Sequence, residues 1–175
     1  MELRQASERE LQKVLDFYHE ASDEMIDTPY DCRWRRDMHP TDEFLAYFVR
    51  KGDMSILMDG EILVAAVGID HDLGHDYGAL PWLTDASEEE VAVVHLLAVR
   101  RGYRGQGLSR KLLRASLDRA HEMGMRTARL DATSNNAPAI ALYRSEGFVV
   151  VGEGTQDVGP DDDPIVPFVV MERLL

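Results

Sequence analysis

The chain has 175 residues, of which 45% are hydrophobic and 29% are charged, as in an ordinary globular protein. Its formal net charge of −13 argues against nucleic acid or an anionic membrane surface as a partner, because basic residues supply most of that affinity. A single cysteine, Cys32, excludes an internal disulfide and a cysteine-rich zinc site. There is no apolar run long enough to span a membrane and no apolar signal core at the N-terminus. We therefore expect a single cytoplasmic domain over residues 1–175.

The first part of the chain carries clear start and turn signals. Ser7 and Glu10 have the spacing of a capping box before a helical pattern of apolar residues. Thr41 is a second candidate N-cap, and Asp59-Gly60 is typical of a hairpin turn. These signals predict, in order, a strand (2–6), a helix from residue 7, an irregular segment (24–40), a helix from residue 41 and two strands (54–58 and 62–69).

The second part alternates strands and helices. Residues 91–99 are almost all apolar, which predicts a strand buried on both faces. Gly124 is expected to end one helix in the left-handed conformation, and Gly147 is expected to stop another. The predicted order is a long polar loop (71–90), a strand (91–99), a helix from residue 108, a strand (127–131), a helix (138–145) and two strands (148–151 and 166–172) around an acidic loop (157–164). This pattern predicts a mixed α/β (α+β) domain.

A basic, glycine-bearing turn joins the strand at 91–99 to the next helix. The turn reads Arg104-Gly105-Gln106-Gly107-Leu108-Ser109, and glycines at this spacing let the main chain approach an anion closely. A helix N-terminus adds free N–H groups and partial positive charge, which suit a phosphate. Taken alone, a glycine-rich turn with solvated arginines explains the same residues. The basic residues around it, on an otherwise acidic chain, are Arg100, Arg101, Arg104, Arg110 and Lys111.

Two motifs together resemble the GNAT superfamily of acyl-CoA-dependent N-acetyltransferases. The first is Leu97-Ala98-Val99 followed by the Arg104–Ser109 turn, and the second runs from Asn136 through Tyr143 to Gly147-Phe148. The resemblance implies a strongly twisted mixed sheet of six to seven strands flanked by about four helices. It also implies acetyl-CoA as cosubstrate, and no metal. The segments 129–131 and 168–174 resemble a prokaryotic branch of the family whose substrates are mostly unassigned.

The resemblance also implies roles for individual residues. Tyr143 matches the family's tyrosine acid, although a tyrosine on an amphipathic helix also packs well in a core. Asn136 bonds the coenzyme arm, caps its helix, or does both. The Leu97 N–H is the candidate donor to the reaction's oxyanion. Ser109 departs from the motif's last glycine or alanine. The implied coenzyme-binding residues are Leu97, Ala98, Val99, Arg104, Gly105, Gln106, Gly107, Leu108, Ser109, Asn136, Ala139 and Tyr143.

The general base is the least determined part of the site. His95 shares one strand with Leu97 and Val99, and a period of two places all three on the same face. A histidine in a buried strand is more often a core residue, and the run 88–90 of three glutamates is an alternative more simply explained as a solvated strand entry. Deprotonation of the amine by water is a third route.

The acceptor is predicted only by class, as a primary amine of a small molecule or a peptide. Alternatives are acyl transfer to a protein N-terminus or lysine, transfer of a longer acyl group, and a non-catalytic acyl-CoA sensor. Family resemblance places Trp34 and Trp82 in acceptor-lining segments, with packing as the alternative. The polar residues at 70–76 are weak evidence for a metal site. Dimers are common in this family, so a homodimer is among the implied partners, while the sequence leaves the oligomeric state open.

Overall fold

The computed structural model describes residues 1–36, 38–73, 80–156 and 166–175. The strands are β1 (Glu2–Gln5), β2 (Met54–Asp59), β3 (Ile62–Asp70), β4 (Val91–Val99), β5 (Thr127–Thr133), β6 (Val149–Gln156) and β7 (Val166–Leu174). The helices are α1 (Leu11–Met25), α2 (Asp42–Lys51), α3 (Leu108–Glu122) and α4 (Ala137–Ser145). This part of the chain confirms the mixed α/β prediction. The acidic loop predicted at 157–164 lies outside the described residues.

Local signals set several element boundaries. The Thr41 hydroxyl accepts a hydrogen bond from the Phe44 N–H at 3.1 Å, which satisfies one of the free donors at the start of α2. The Glu10 carboxylate accepts from the Ser7 N–H at 3.0 Å, and a 3₁₀ turn (Glu8–Glu10) leads into α1. Gly124 follows α3 with φ of 96°, a left-handed conformation that glycine adopts without strain. These contacts confirm the predicted start of α2 and the predicted end of α3, whereas α1 begins at Leu11, after the 3₁₀ turn, and not at residue 7.

All seven strands lie in one sheet, in the order β1-β2-β3-β4-β5-β7-β6. Neighbouring strands pair antiparallel, except that β4 and β5 pair in parallel. The parallel pair joins an N-terminal group of four strands to a C-terminal group of three. The strand order therefore places β4 and β5 near the middle of the sheet.

A hydrophobic core covers each face of the sheet. Helices α1 and α2 pack on one face, where Phe17, Leu45 and Phe48 are buried. Helices α3 and α4 pack on the other face, where Leu112 and Leu117 are buried. We call these the α1/α2 face and the α3/α4 face. Among the described helices, none is long and apolar enough to cross a lipid bilayer.

Candidate active site

The strands β4 and β5 separate after a short paired stretch. Their parallel pairing begins at Val91 with Thr127 and ends at Val93 with Arg129. Beyond that point, β4 continues to pair with β3, and β5 continues to pair with β7. The facing sides of β4 and β5 therefore offer main-chain groups to a gap in the middle of the sheet.

A β-bulge in β4 lies beside this gap. The register with β3 passes from Gly68 opposite His95 to Ala66 opposite Ala98, so two residues of β4 face one residue of β3. Leu96, one of those two, has φ of 63°. A leucine in this left-handed region costs about 1–3 kcal/mol and is held there by its surroundings.

The bulge changes which face each residue of β4 occupies. Leu97 and Val99 pack against the α3/α4 core, whereas Leu96 and Ala98 pack against the α1/α2 core. The His95 ring lies on the α1/α2 face, with ring centroids 5.4 Å from Phe48 and 6.1 Å from Phe44. The prediction that His95 shares a face with Leu97 and Val99 was therefore wrong, because the extra residue at Leu96 interrupts the period of two.

The turn after β4 presents main-chain donors at the start of α3. Gly105 and Gly107 have φ of 79° and 73°, and α3 begins at Leu108. The Lys111 N–H donates to the Gly107 carbonyl at 3.0 Å, which is the first α-helical bond of α3. The N–H groups before it belong to the first turn, whose donors have no acceptor within the helix. Gln106 is exposed and Ser109 is half-buried in this turn.

Most of the arginines around the turn are held by carboxylates. Arg104 donates from Nη2 to Glu24 at 3.1 Å and from Nε to the Val99 carbonyl at 3.0 Å. Arg110 pairs with Glu146 at 2.8 Å. Arg100 pairs with Glu20 in the same way. In the described part of the chain, Arg101 and Lys111 have no ion-pair partner. The expected surplus of positive charge is therefore smaller than the sequence indicated.

Helix α4 carries Asn136 and Tyr143. The Asn136 side chain accepts from the Ala139 N–H at 3.3 Å, so the capping interpretation of Asn136 is confirmed. Tyr143 is only 7% exposed and packs edge-on against Phe148, with centroids 5.7 Å apart. It lies in the same core as Leu97, on the α3/α4 face. Burial raises the pKa of Tyr143 well above its ordinary value of 10, so the hydroxyl stays protonated at neutral pH.

Sequence reasoning missed the surroundings of the tyrosine. The negative charge of the exposed Asp131 carboxylate, and that of Cys32 when it is ionised, also raise the pKa of Tyr143. The Asn135 side chain donates to the Asp31 carbonyl at 2.9 Å, which ties the connection between α1 and α2 to the start of α4. Asp131 could have been found from the sequence, because it is a carboxylate on the strand that leads directly into the helix capped by Asn136.

The predicted base His95 is held by acceptors. Its Nε2 lies 2.9 Å from an Asp70 carboxylate oxygen and 3.0 Å from the Asp72 carbonyl, so Nε2 carries a proton. The glutamates at 88–90 form a 3₁₀ turn before β4. At about 3.3 Å per residue, Glu90 lies about 23 Å along the strand from Leu97, which removes it from the site.

The remaining candidates have structural partners. The Trp34 ring packs on Tyr18 at 5.9 Å, and the Arg129 guanidinium lies 3.9 Å from the Trp82 ring centroid. Burial raises the pKa of Cys32 to about 12, so this thiol is not a ready nucleophile. Within the described residues, no three histidine, cysteine or acidic side chains converge as metal ligands, and positions 75 and 76 lie outside them.

The family relationship is shown by the sequence itself. The model of the acetyltransferase (GNAT) family matches residues 10–148, which is most of the chain. The chain therefore belongs to that family, as the two motifs indicated.

Curated relatives match over part of their length. Streptothricin acetyltransferase of Streptomyces lavendulae is 36% identical over 87 residues, which are 50% of this chain and 44% of that protein. The ribosomal protein bS18-alanine N-acetyltransferase of Escherichia coli K12 is 42% identical over 57 residues, 33% of this chain and 38% of that enzyme. The chain thus spans less than half the length of these relatives.

Solved structures share the fold over the whole chain. A GNAT-family acetyltransferase from Streptococcus pneumoniae has a TM-score of 0.73 at 17% identity, with 99% of each chain covered. A protein from Salmonella typhimurium, solved with its cofactor acetyl-CoA, has a TM-score of 0.72 at 19% identity and covers 99% of this chain and 93% of its own. At these identities the likeness establishes the fold.

Proposed function

We propose that this protein transfers an acetyl group from acetyl-CoA to a primary amine by direct attack. The observation that carries the proposal is the early separation of β4 from β5 after Val93 and Arg129. The glycine turn at 104–109 follows one side of this gap, and the helix bearing Tyr143 follows the other. An extended thioester arm can then bond to β4 while its phosphates bind at the start of α3.

We assign the phosphate groups of acetyl-CoA to the glycine turn at 104–109. A Cβ added at Gly105 or Gly107 would meet no protein atom within 4 Å, so space for an anion lies directly against the main chain. The free N–H groups of the first helical turn then supply the binding, with the Ser109 hydroxyl as an additional donor. Since the Arg104 side chain is engaged with Glu24, its contribution comes mainly through the backbone. We assign binding of the extended thioester arm of acetyl-CoA to Leu97, Ala98 and Val99.

The chemical step needs an oxyanion donor and an acid. The amine nitrogen forms a bond to the thioester carbonyl carbon, and the developing oxyanion accepts a hydrogen bond from the Leu97 N–H. The carbon–sulfur bond then breaks, and Tyr143 gives its proton to the departing sulfur. The positive charge on the attacking nitrogen lowers the raised pKa of Tyr143 at that moment, which favours the transfer. The proton lost by the amine passes through the base or solvent and restores Tyr143, so the products are the amide and free CoA thiol.

The proton of the amine has two candidate acceptors in the chain. Asp131 is exposed, and its carboxylate contributes to the raised pKa of Tyr143. His95 lies on the α1/α2 face with its Nε2 proton held by Asp70. We assign the role to Asp131, because its carboxylate acts electrostatically on the Tyr143 hydroxyl, whereas the His95 ring packs against Phe48 on the α1/α2 face. Asp131→Asn should therefore lower kcat more than His95→Gln, in turnover measured from pH 6 to 9.

The names of the relatives suggest the class of acceptor, and they suggest two different classes. One relative is named for an antibiotic, streptothricin, and another for the alanine of a ribosomal protein. Both names imply an amine acceptor, and they favour a small-molecule amine and a protein N-terminus respectively. A panel of polyamines, aminoglycosides, amino acids and alanine-initiated peptides separates the two.

The test combines this panel with release of CoA thiol. We expect thiol release with at least one amine, a product heavier by one acetyl group, and loss of about 10²-fold in kcat in Tyr143→Phe. Tyr47→Phe is the matched control, because Tyr47 is an exposed tyrosine on α2. CoA binding without turnover on any amine would favour the sensor alternative. Equal turnover of wild type and Tyr143→Phe would remove Tyr143 as the acid.

A further inference from the structure

A buried tyrosine holds the peptide bond at the β4 bulge. Tyr18 on α1 is 1% exposed, and its hydroxyl donates to the Leu96 carbonyl at 2.8 Å. The Met54 sulfur lies 3.6 Å from the Tyr18 hydroxyl oxygen and is a second possible acceptor. A hydroxyl has only one proton to donate, and the closer Leu96 carbonyl is the stronger acceptor. Burial raises the pKa of Tyr18 well above 10, so the hydroxyl remains a donor throughout the working pH range.

The bonded carbonyl belongs to the same peptide unit as the Leu97 N–H. A trans peptide is planar, and its C=O and N–H point in opposite directions. Tyr18 approaches from α1 and draws the Leu96 oxygen toward the α1/α2 face. The Leu97 N–H consequently points toward the α3/α4 face, where Leu97 and Tyr143 pack.

The bulge leaves this peptide without the usual restraint of a regular ladder. Leu96 and Leu97 together face a single residue of β3, and pairing with β5 has already ended at Val93. Leu96 is also in a left-handed conformation that leucine avoids. The Tyr18 hydrogen bond, which comes from outside the sheet, therefore restrains the direction of this peptide.

We propose that Tyr18 is a positioning residue for acetyl transfer, which orients and polarises the peptide whose Leu97 N–H stabilises the oxyanion. This inference rests on the proposed function, in which Leu97 is the oxyanion donor. Hydrogen bonds in series strengthen one another, so a bond accepted by the carbonyl makes the N–H of the same peptide a better donor. Tyr18 itself stays in the core and touches neither substrate.

The decisive variant is Tyr18→Phe, which removes the hydroxyl and keeps the ring. The ring contacts with Phe17 at 5.1 Å and Trp34 at 5.9 Å remain available to phenylalanine. We expect kcat to fall about tenfold, less than the 10²–10³-fold loss on removing an oxyanion donor outright. The KM for acetyl-CoA should change much less than kcat, since the turn at 104–109 is untouched. Tyr47→Phe again serves as the matched control.

An infrared measurement distinguishes this role from general loss of structure. Acetyl-CoA labelled with ¹³C at the thioester carbonyl is bound in the absence of amine, and its carbonyl stretch is compared with that of the free compound. In the wild type, the hydrogen bond from Leu97 should lower the frequency, and Tyr18→Phe should return part of that shift. If Tyr18→Phe does not fold, 3-fluorotyrosine placed at position 18 alone provides a stronger donor and should lower the frequency further.

The outcomes separate the two proposals. A wild-type stretch equal to that of free acetyl-CoA overturns the assignment of Leu97, and the role of Tyr18 with it. A lowered wild-type stretch that the substitution at position 18 leaves unchanged overturns the role of Tyr18 and leaves the proposed function intact. A stretch that shifts in the expected direction on substitution, with kcat following it, supports the proposal.

Discussion

Alanine in place of Gly107 or Gly105 tests the turn that we assign to the donor phosphates. Both glycines have left-handed φ angles, 73° and 79°, and a Cβ at either position would meet nothing within 4 Å. Steric conflict inside the protein is therefore absent, and the cost of alanine is the backbone strain of the left-handed region, about 1–2 kcal/mol. That cost must appear in the stability of the fold, in CoA affinity, or divided between them.

The division depends on whether the turn keeps its shape without ligand. If the rest of the fold holds the turn, Gly107→Ala lowers the free energy of unfolding by the full strain. If the turn relaxes when empty, the strain appears on binding and raises the Kd for CoA by about 5- to 30-fold. A Cβ that also collides with the bound phosphate raises the Kd beyond this range.

Urea unfolding and calorimetric titration with CoA measure the two parts. Gly102→Ala is the matched control, because Gly102 lies in the 3₁₀ turn just before, without a left-handed φ and with equal space around it. It should be neutral or slightly stabilising. Gly107→Asn should recover part of the loss, since asparagine tolerates the left-handed region. Wild-type stability together with wild-type affinity in Gly107→Ala would refute the reasoning.

Three further predictions concern stability and mechanism. Arg4 lowers the pKa of Glu10 from its ordinary 4.5 to about 2, so Glu10→Gln should cost about 2 kcal/mol at pH 7 after solvent screening. In urea unfolding this difference should shrink as the pH falls below about 4.5 and be nearly gone at about pH 2, where Glu10 is half protonated in the folded protein. Cys32→Ala should keep turnover, and mass spectrometry of quenched wild-type reactions should find no acetylated enzyme, since burial raises the pKa of this thiol to about 12. Gly152→Ala brings a Cβ to 2.6 Å from Leu80 and should destabilise the fold by about 1 kcal/mol, a loss that Leu80→Ala should partly offset in a double-mutant cycle.

Local chemistry made much of the fold predictable. Thr41 caps α2, and the hairpin glycine Gly60 takes its left-handed φ of 58° as the Asp59-Gly60 pair indicated. The apolar stretch 91–99 is a strand covered by helices on both faces, as its composition required. Each of these outcomes depends on a few neighbouring residues, which a single sequence contains in full.

What failed to be predicted depends on contacts between distant segments. Leu96 has no local reason to adopt a left-handed φ, and its Tyr18 partner lies 78 residues away. The face of the sheet on which His95 lies depends on that bulge, so counting residues along the strand could not predict it. The arginines of the turn are held by Glu20 and Glu24 of α1, about 80 residues upstream, so local charge overstated the positive potential.

The early parting of β4 from β5 gives the sheet inner edges in addition to its outer ones. Unpaired strand edges ordinarily invite a strand from another molecule and so promote aggregation. Here the α3/α4 core covers one face of the sheet, and the α1/α2 core covers the other. An added β-strand carries side chains toward both faces, so the helices packed on the two faces of the sheet hinder its entry. The fold thus keeps open main chain at its centre without the association hazard that an outer edge of the same length would carry.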